Sequence, residues 1–84
     1  MKFIAQINIM PQKALLDPQG KAVLNGANKN GFTEVLNVRI GKSVEVEIDT
    51  DDEKKAVEIV DNLCEKILIN PIIEYYNFNL VKCL

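Results

Sequence analysis

The sequence predicts an α+β fold: a two-layer sandwich of order β-α-β-β-α-β, in the ferredoxin-like arrangement, with two helices on one face of a four-stranded antiparallel sheet. Three observations predict it. Phe3, Ala5, Ile7 and Ile9 alternate with Ile4, Gln6 and Asn8, which makes a strand with one firmly apolar face. Leu36, Val38, Ile40, Val44, Val46 and Ile48 all share one parity. Ala56, Val57, Val60, Leu63, Cys64, Ile67 and Leu68 recur at helical spacing.

The first strand ends at Pro11. Gln12 to Leu16 read as a loop, with Leu15 and Leu16 expected to turn back toward the core. Asp17-Pro18-Gln19-Gly20 reads as a helix start: Asp17 caps open amides, and Pro18 occupies the first helical position, where its missing donor costs nothing. That helix runs to about Asn30, and Gly31 supplies the left-handed C-terminal position. Its interior is poor in helix formers, with Asn25, Gly26 and Asn28. Its apolar face is thin, mainly Ala22, Val23 and Ala27, so tertiary packing is expected to hold it.

Gly41-Lys42-Ser43 interrupts the next apolar set. A two-residue hairpin would split that set between faces, because one step of register flips every side chain. A three-residue loop pairs Ile40 with Val44 and Val38 with Val46, keeping one apolar face. The expectation is an odd-length turn there, or one long bent strand. Thr50-Asp51-Asp52-Glu53 has the capping-box pattern and opens a helix from Asp52 to about Ile69. Asn70-Pro71 breaks it, since proline lacks a donor and excludes its predecessor from the α region. The last strand, about Ile73 to Cys83, places Tyr76, Phe78 and Leu80 on one side. Asn77 and Asn79 fall on the other.

The 84 residues form a single domain, 1–84, with 48% hydrophobic and 26% charged residues, which excludes a disordered chain. A chain this short buries only about 60% of its unfolded surface, so a partner would stabilise it. A net charge of −2 argues against nucleic-acid binding, which needs a clustered positive field. No run approaches the roughly 20 apolar residues of a membrane span, and no secretory signal is evident. Cys64 and Cys83 are expected to be reduced thiols of a cytoplasmic protein.

Chemistry is sparse. Histidine, the commonest general base and metal ligand, is absent. Cys64 lies on the apolar helix face with no basic neighbour, so it reads as core. Asp49, Asp51, Asp52 and Glu53 begin like a calcium loop, but Lys54 stands where such loops need glycine. Acidic residues at a helix start complement its dipole. Gly41-Lys42-Ser43 resembles the end of a phosphate loop, yet a strand follows and no upstream glycine has the spacing. Arg39 and Lys42 flank that turn and are the candidates for subunit or ligand contact. Tyr75 and Tyr76 read as a strand-edge and core pair. On the second sheet face, Ile4, Gln6, Asn8, Asn77, Asn79 and Val81 carry no charge. That face is either exposed or covered by another subunit.

Leu16-Asp17-Pro18-Gln19-Gly20-Lys21-Ala22-Val23, Val38-Arg39-Ile40-Gly41-Lys42 and the block from Cys64 to Tyr75 together resemble the PurS family, in order and spacing over nearly the full length. PurS is the small subunit of phosphoribosylformylglycinamidine synthase, an ATP-dependent carbon–nitrogen ligase of purine biosynthesis. The resemblance implies a non-catalytic subunit that bridges the large synthetase and glutaminase subunits and assists ammonia transfer. It implies a homo-oligomer, dimer or tetramer, with no cofactor on this chain and ATP and magnesium in the synthetase. Gly26-Ala27 and Asn30 before Gly31-Phe32 depart from the family pattern and weaken the first helix. The alternative is a ferredoxin-like regulatory domain that binds a small molecule.

Overall fold

The computed structural model describes residues 1–83. The elements are β1 (Lys2–Pro11), α1 (Pro18–Lys29), β2 (Lys42–Asp49), α2 (Glu53–Leu63) and β3 (Glu74–Cys83). A π-helical turn, Cys64–Leu68, continues α2. The three strands form one antiparallel sheet in the order β2-β1-β3.

Period-two patterning sets the register. Ile7 lies opposite Val44 on one side and Phe78 on the other; Ala5 lies opposite Val46 and Leu80. The apolar faces of all three strands therefore coincide. α2 covers that face, and Val60 and Cys64 close over Ala5, Ile7, Ile9 and Ile48 in one buried cluster. Each large side chain buried there contributes about 1.5–3 kcal/mol. On the opposite face, Gln6 donates to Glu45 at 2.6 Å and Asn8 to Asn77 at 3.2 Å. β2 adds Glu45 and Glu47 to this face, so it is not free of charge as β1 and β3 alone suggest.

The corner between α2 and β3 is built on Asn70. Its side-chain oxygen accepts from the Ile72 amide, its carbonyl accepts from Ile73 and Glu74, and its own amide donates to Glu74 Oε1. Ahead of it, the Ile69 amide bonds to the Cys64 carbonyl five residues back. That wider turn rotates the residues beyond it about the helix axis. Ile67, expected on the buried face, is 73% exposed, while Leu68 and Ile69 pack on the core. The helix cap also differs from the capping-box reading: Asp52, not Thr50, accepts from the Lys55 amide at 2.7 Å.

The largest correction concerns residues 12–41. Among the described residues there is no fourth strand in the sheet and no hairpin at Gly41-Lys42-Ser43. Residues 35–40 lead into β2 without ladder partners, so neither the odd-length hairpin nor the long bent strand forms. α1 forms as expected, with Pro18 in its first turn and Gly31 at φ 94° after its end. It does not lie on the sheet. Gly20 is its only buried residue, and a Cβ at Gly26 would meet nothing within 4 Å. Two alanines and one valine offer too little area to compete for a place on the sheet. Leu15 and Leu16 do not turn inward either; Leu16 is 75% exposed. The result is a body with a projecting arm, measuring 51 × 29 × 14 Å. Its radius of gyration is 16.5 Å, where a compact chain of this length has about 12 Å.

An arm helix without a buried face opens easily. Amide exchange in α1 is expected to be fast relative to Val57–Leu68; equal protection in the two helices would overturn the unpacked arm.

Candidate functional site

The arm leaves the body after Pro11 and returns at Gly41, and the chemistry-bearing residues gather at this neck. Asp17 ties its two sides together. Its Oδ1 accepts from the Gly20 amide at 3.0 Å, capping α1, and its Oδ2 accepts from the Ile40 amide at 2.7 Å. These two bonds, with the Arg39 charge, hold its carboxyl below the ordinary 3.8. Gly20 lets α1 and the 35–40 segment meet, because a Cβ there would run into the Val38 carbonyl oxygen and stand 2.6 Å from Asp17 Oδ2.

Arg39 clamps the arm to the body. One guanidinium nitrogen donates to the Tyr75 hydroxyl at 3.0 Å, and the other donates to the Pro11 carbonyl. The guanidinium carbon also lies 5.8 Å from the Tyr75 ring centroid, within cation–π range. Lys42 stands beyond the neck, on β2, and pairs with Glu74 at 3.8 Å. The two candidate contact residues stand on either side of Gly41 but line different clefts. Arg39 faces a hollow shared with Lys13 and Lys21, whereas Lys42 borders one lined by Pro18, Gly41 and Glu74. Sequence reasoning missed Lys13, Lys21 and the clamping role of Tyr75. Tyr75 lies 36 residues from Arg39, and no local pattern signals that pairing.

The remaining candidates are structural. Cys64 is buried, and desolvation, with Asp61 and Glu65 nearby, pushes its thiol up, so it stays protonated. Neither cysteine is disulfide-bonded. Tyr76 packs on the core and donates to Asp61 at 3.0 Å. Burial and that bond push its hydroxyl up to about 12. Asp52 is occupied as the α2 cap, and Asp49 pairs with the terminal amino group at 3.3 Å. Among the described residues, no three His, Cys, Asp or Glu side chains converge as metal ligands, and no helix is long and apolar enough to cross a membrane. What the neck can do chemically is position the arm and present cations; it holds no nucleophile with a base.

Comparison with known proteins identifies the family. A profile of the PurS family, described as phosphoribosylformylglycinamidine (FGAM) synthase, matches residues 4–82. The chain is 36% identical over 78 residues to the PurS subunit of a Synechocystis species, covering 93% of this chain and 78% of that protein. It is 36% identical over 76 residues to the Bacillus subtilis PurS subunit, covering 90% and 89%. The crystal structure of Methanocaldococcus jannaschii PurS, one of the subunits of formylglycinamide ribonucleotide amidotransferase, superposes with a TM-score of 0.85 at 30% identity, over 98% of this chain and 99% of that one. A chain of Thermotoga maritima PurLQS superposes with a TM-score of 0.89 at 28% identity, over 96% and 99%. With the three-stranded sheet, the projecting arm and a family match spanning nearly its whole length, the chain belongs to the PurS family of phosphoribosylformylglycinamidine synthase.

Proposed function

We propose that this chain is the non-catalytic small subunit of phosphoribosylformylglycinamidine synthase, bridging the glutaminase and large synthetase subunits and assisting the passage of ammonia between them. PurS is a subunit of this enzyme in purine biosynthesis. The complete enzyme converts formylglycinamide ribonucleotide, glutamine and ATP to formylglycinamidine ribonucleotide. ATP and magnesium belong to the synthetase subunit in this reading, and the complex works in the cytoplasm. The observation that carries it is the end-to-end likeness to a chain of Thermotoga maritima PurLQS. The residue inventory supports it, since the neck positions groups, and Cys64, buried in the core, has its thiol pushed up by desolvation.

The same reading makes the chain a homo-oligomer, a dimer or tetramer. Its extension supports this, because the arm exposes apolar side chains that a lone chain leaves in water. Leu36 is 87% exposed, and Val23 and Phe32 are also open. Residues 36–39 lie outside every ladder of the described sheet. Such a segment is suited to strand addition on another copy.

Reconstitution tests the assignment. Adding the chain to the purified synthetase and glutaminase subunits is expected to produce a co-eluting complex and to raise glutamine-dependent product formation. Unchanged activity with and without the chain would sink the proposal.

A further inference from the structure

We propose that the cleft at the base of the arm is an anion site built for a phosphate group. The cleft is a hollow of about 230 Å³ between the 12–17 loop, the first turns of α1 and the 35–40 segment. Lys13, Lys21, Arg39 and Asn37 line it together with apolar residues that include Leu24 and Val38. Such a site goes beyond the assembly role and does not depend on it.

Three features set this cleft apart from a chance gathering of lysines. Its one acidic neighbour, Asp17, has each carboxylate oxygen engaged by a backbone amide, Gly20 on one side and Ile40 on the other. Arg39 is held in place by Tyr75 and Pro11, so its charge is fixed before any ligand arrives. Among the described residues, neither lysine nor Arg39 has a carboxylate within 4 Å; the ion pairs there are Met1–Asp49 and Lys42–Glu74.

The whole-chain charge distribution sharpens the contrast. Residues 12–42 carry Lys13, Lys21, Lys29, Arg39 and Lys42 against Asp17 and Glu34. The remaining acids belong to the body, with Glu45 and Glu47 on β2 and a series from Asp51 to Glu65 along α2. A protein of net charge −2 thus carries a positive excess on the arm, and three of those five cations line this hollow. An apolar lining strengthens such a field by lowering the local dielectric. A phosphate monoester carries about −1.5 to −2 charge and three acceptor oxygens, which match three cations and the Asn37 amide better than a single carboxylate does. The volume lies below the roughly 300–1,000 Å³ of drug-sized sites, so it suits a phosphate with a small organic group.

The test is a titration of the full chain, monitored by amide chemical shifts, with inorganic phosphate, glycerol 3-phosphate and sodium chloride at matched ionic strength. Saturable shifts confined to residues 13–24 and 37–39, given by the phosphates and not by chloride, are expected. Tighter binding of glycerol 3-phosphate would identify a phosphomonoester ligand, and equal binding the free ion. The Lys13→Gln/Lys21→Gln double variant is expected to weaken binding about tenfold or more. Both lysines are exposed and outside the neck bonds, so the variant keeps the fold, which its spectrum verifies directly. Shifts spread over the surface, equal effects of chloride, or unchanged affinity in the variant would each overturn the site. Sizing and reconstitution of the same variant report separately on the assembly role.

Discussion

Replacing Ile7 with alanine is expected to cost about 2–5 kcal/mol of stability, the range for deleting a large aliphatic side chain at a site that cannot collapse. Ile7 is fully buried on the central strand, with Val44 and Phe78 opposite it and α2 above. Domains of this size hold about 0.05–0.15 kcal/mol per residue, so the loss takes a large share of the total. Urea denaturation measures it, with two comparisons on the same scale. Ile7→Val is expected to cost about 0.5–1.5 kcal/mol, because it removes one methyl group. Ile72→Ala, at a corner residue 84% exposed, is expected to stay within about 0.5 kcal/mol. Equal losses at Ile7 and Ile72 would contradict a core centred on β1.

The second large effect belongs to Asp17, and here two substitutions separate two roles. Asp17→Ala removes the cap of α1 and the tie to Ile40 together. Exchange of the Gly20–Leu24 amides is expected to rise about tenfold, along with that of Ile40. Asn is as good a helix cap as Asp, but it has one acceptor oxygen where the carboxylate has two. Asp17→Asn should therefore keep the helix start and release Ile40 alone. The lowered pKa sets the pH dependence. Bonding to the Gly20 and Ile40 amides favours the ionised carboxylate in the folded chain. Its stabilising contribution is complete above the unfolded value, near 3.8, and is lost as pH falls through the lower folded value. Wild-type arm amides should lose protection below about pH 4, and Asp17→Asn should lack that acid limb. An acid limb that persists in Asp17→Asn would assign it to another carboxylate.

The legible parts of this fold are those governed by near neighbours along the chain. Alternation at Phe3, Ala5, Ile7 and Ile9 places β1 because successive side chains of a strand point to opposite faces. Asp17-Pro18 marks the start of α1, and Gly31 its end, through bonds that span three or four residues. The missing donor of proline accounts for the Asn70-Pro71 break before β3. Arg39 and Lys42 stand out as cations flanking an expected turn, and the turn itself does not form.

The illegible parts depend on distance or on competition. A capping box and a plain aspartate cap have the same sequence around Asp52, and only the geometry separates them. The π-helical turn at Cys64–Leu68 shifts Ile67 outward by one added residue per turn, and a helical wheel does not register that shift. Leu15 and Leu16 are apolar enough to be buried, yet the arm leaves the body at that point and carries them with it. The cationic cleft joins Lys13, Lys21 and Arg39 from three segments, so no spacing in the chain announces it.

Residue by residue, then, the sequence determined β1, β2 and β3 with their inward faces, the presence of both helices and the family, since periodicity, caps and short blocks are local properties. Tertiary structure alone decided that α1 stands off the sheet and that residues 35–40 stay unpaired. Placement of an element is a contest for buried area, and the small face of Ala22, Val23 and Ala27 loses that contest to α2. The arm is then held by three bonds at the neck, to Ile40, Tyr75 and Pro11, each closed across more than twenty residues of chain.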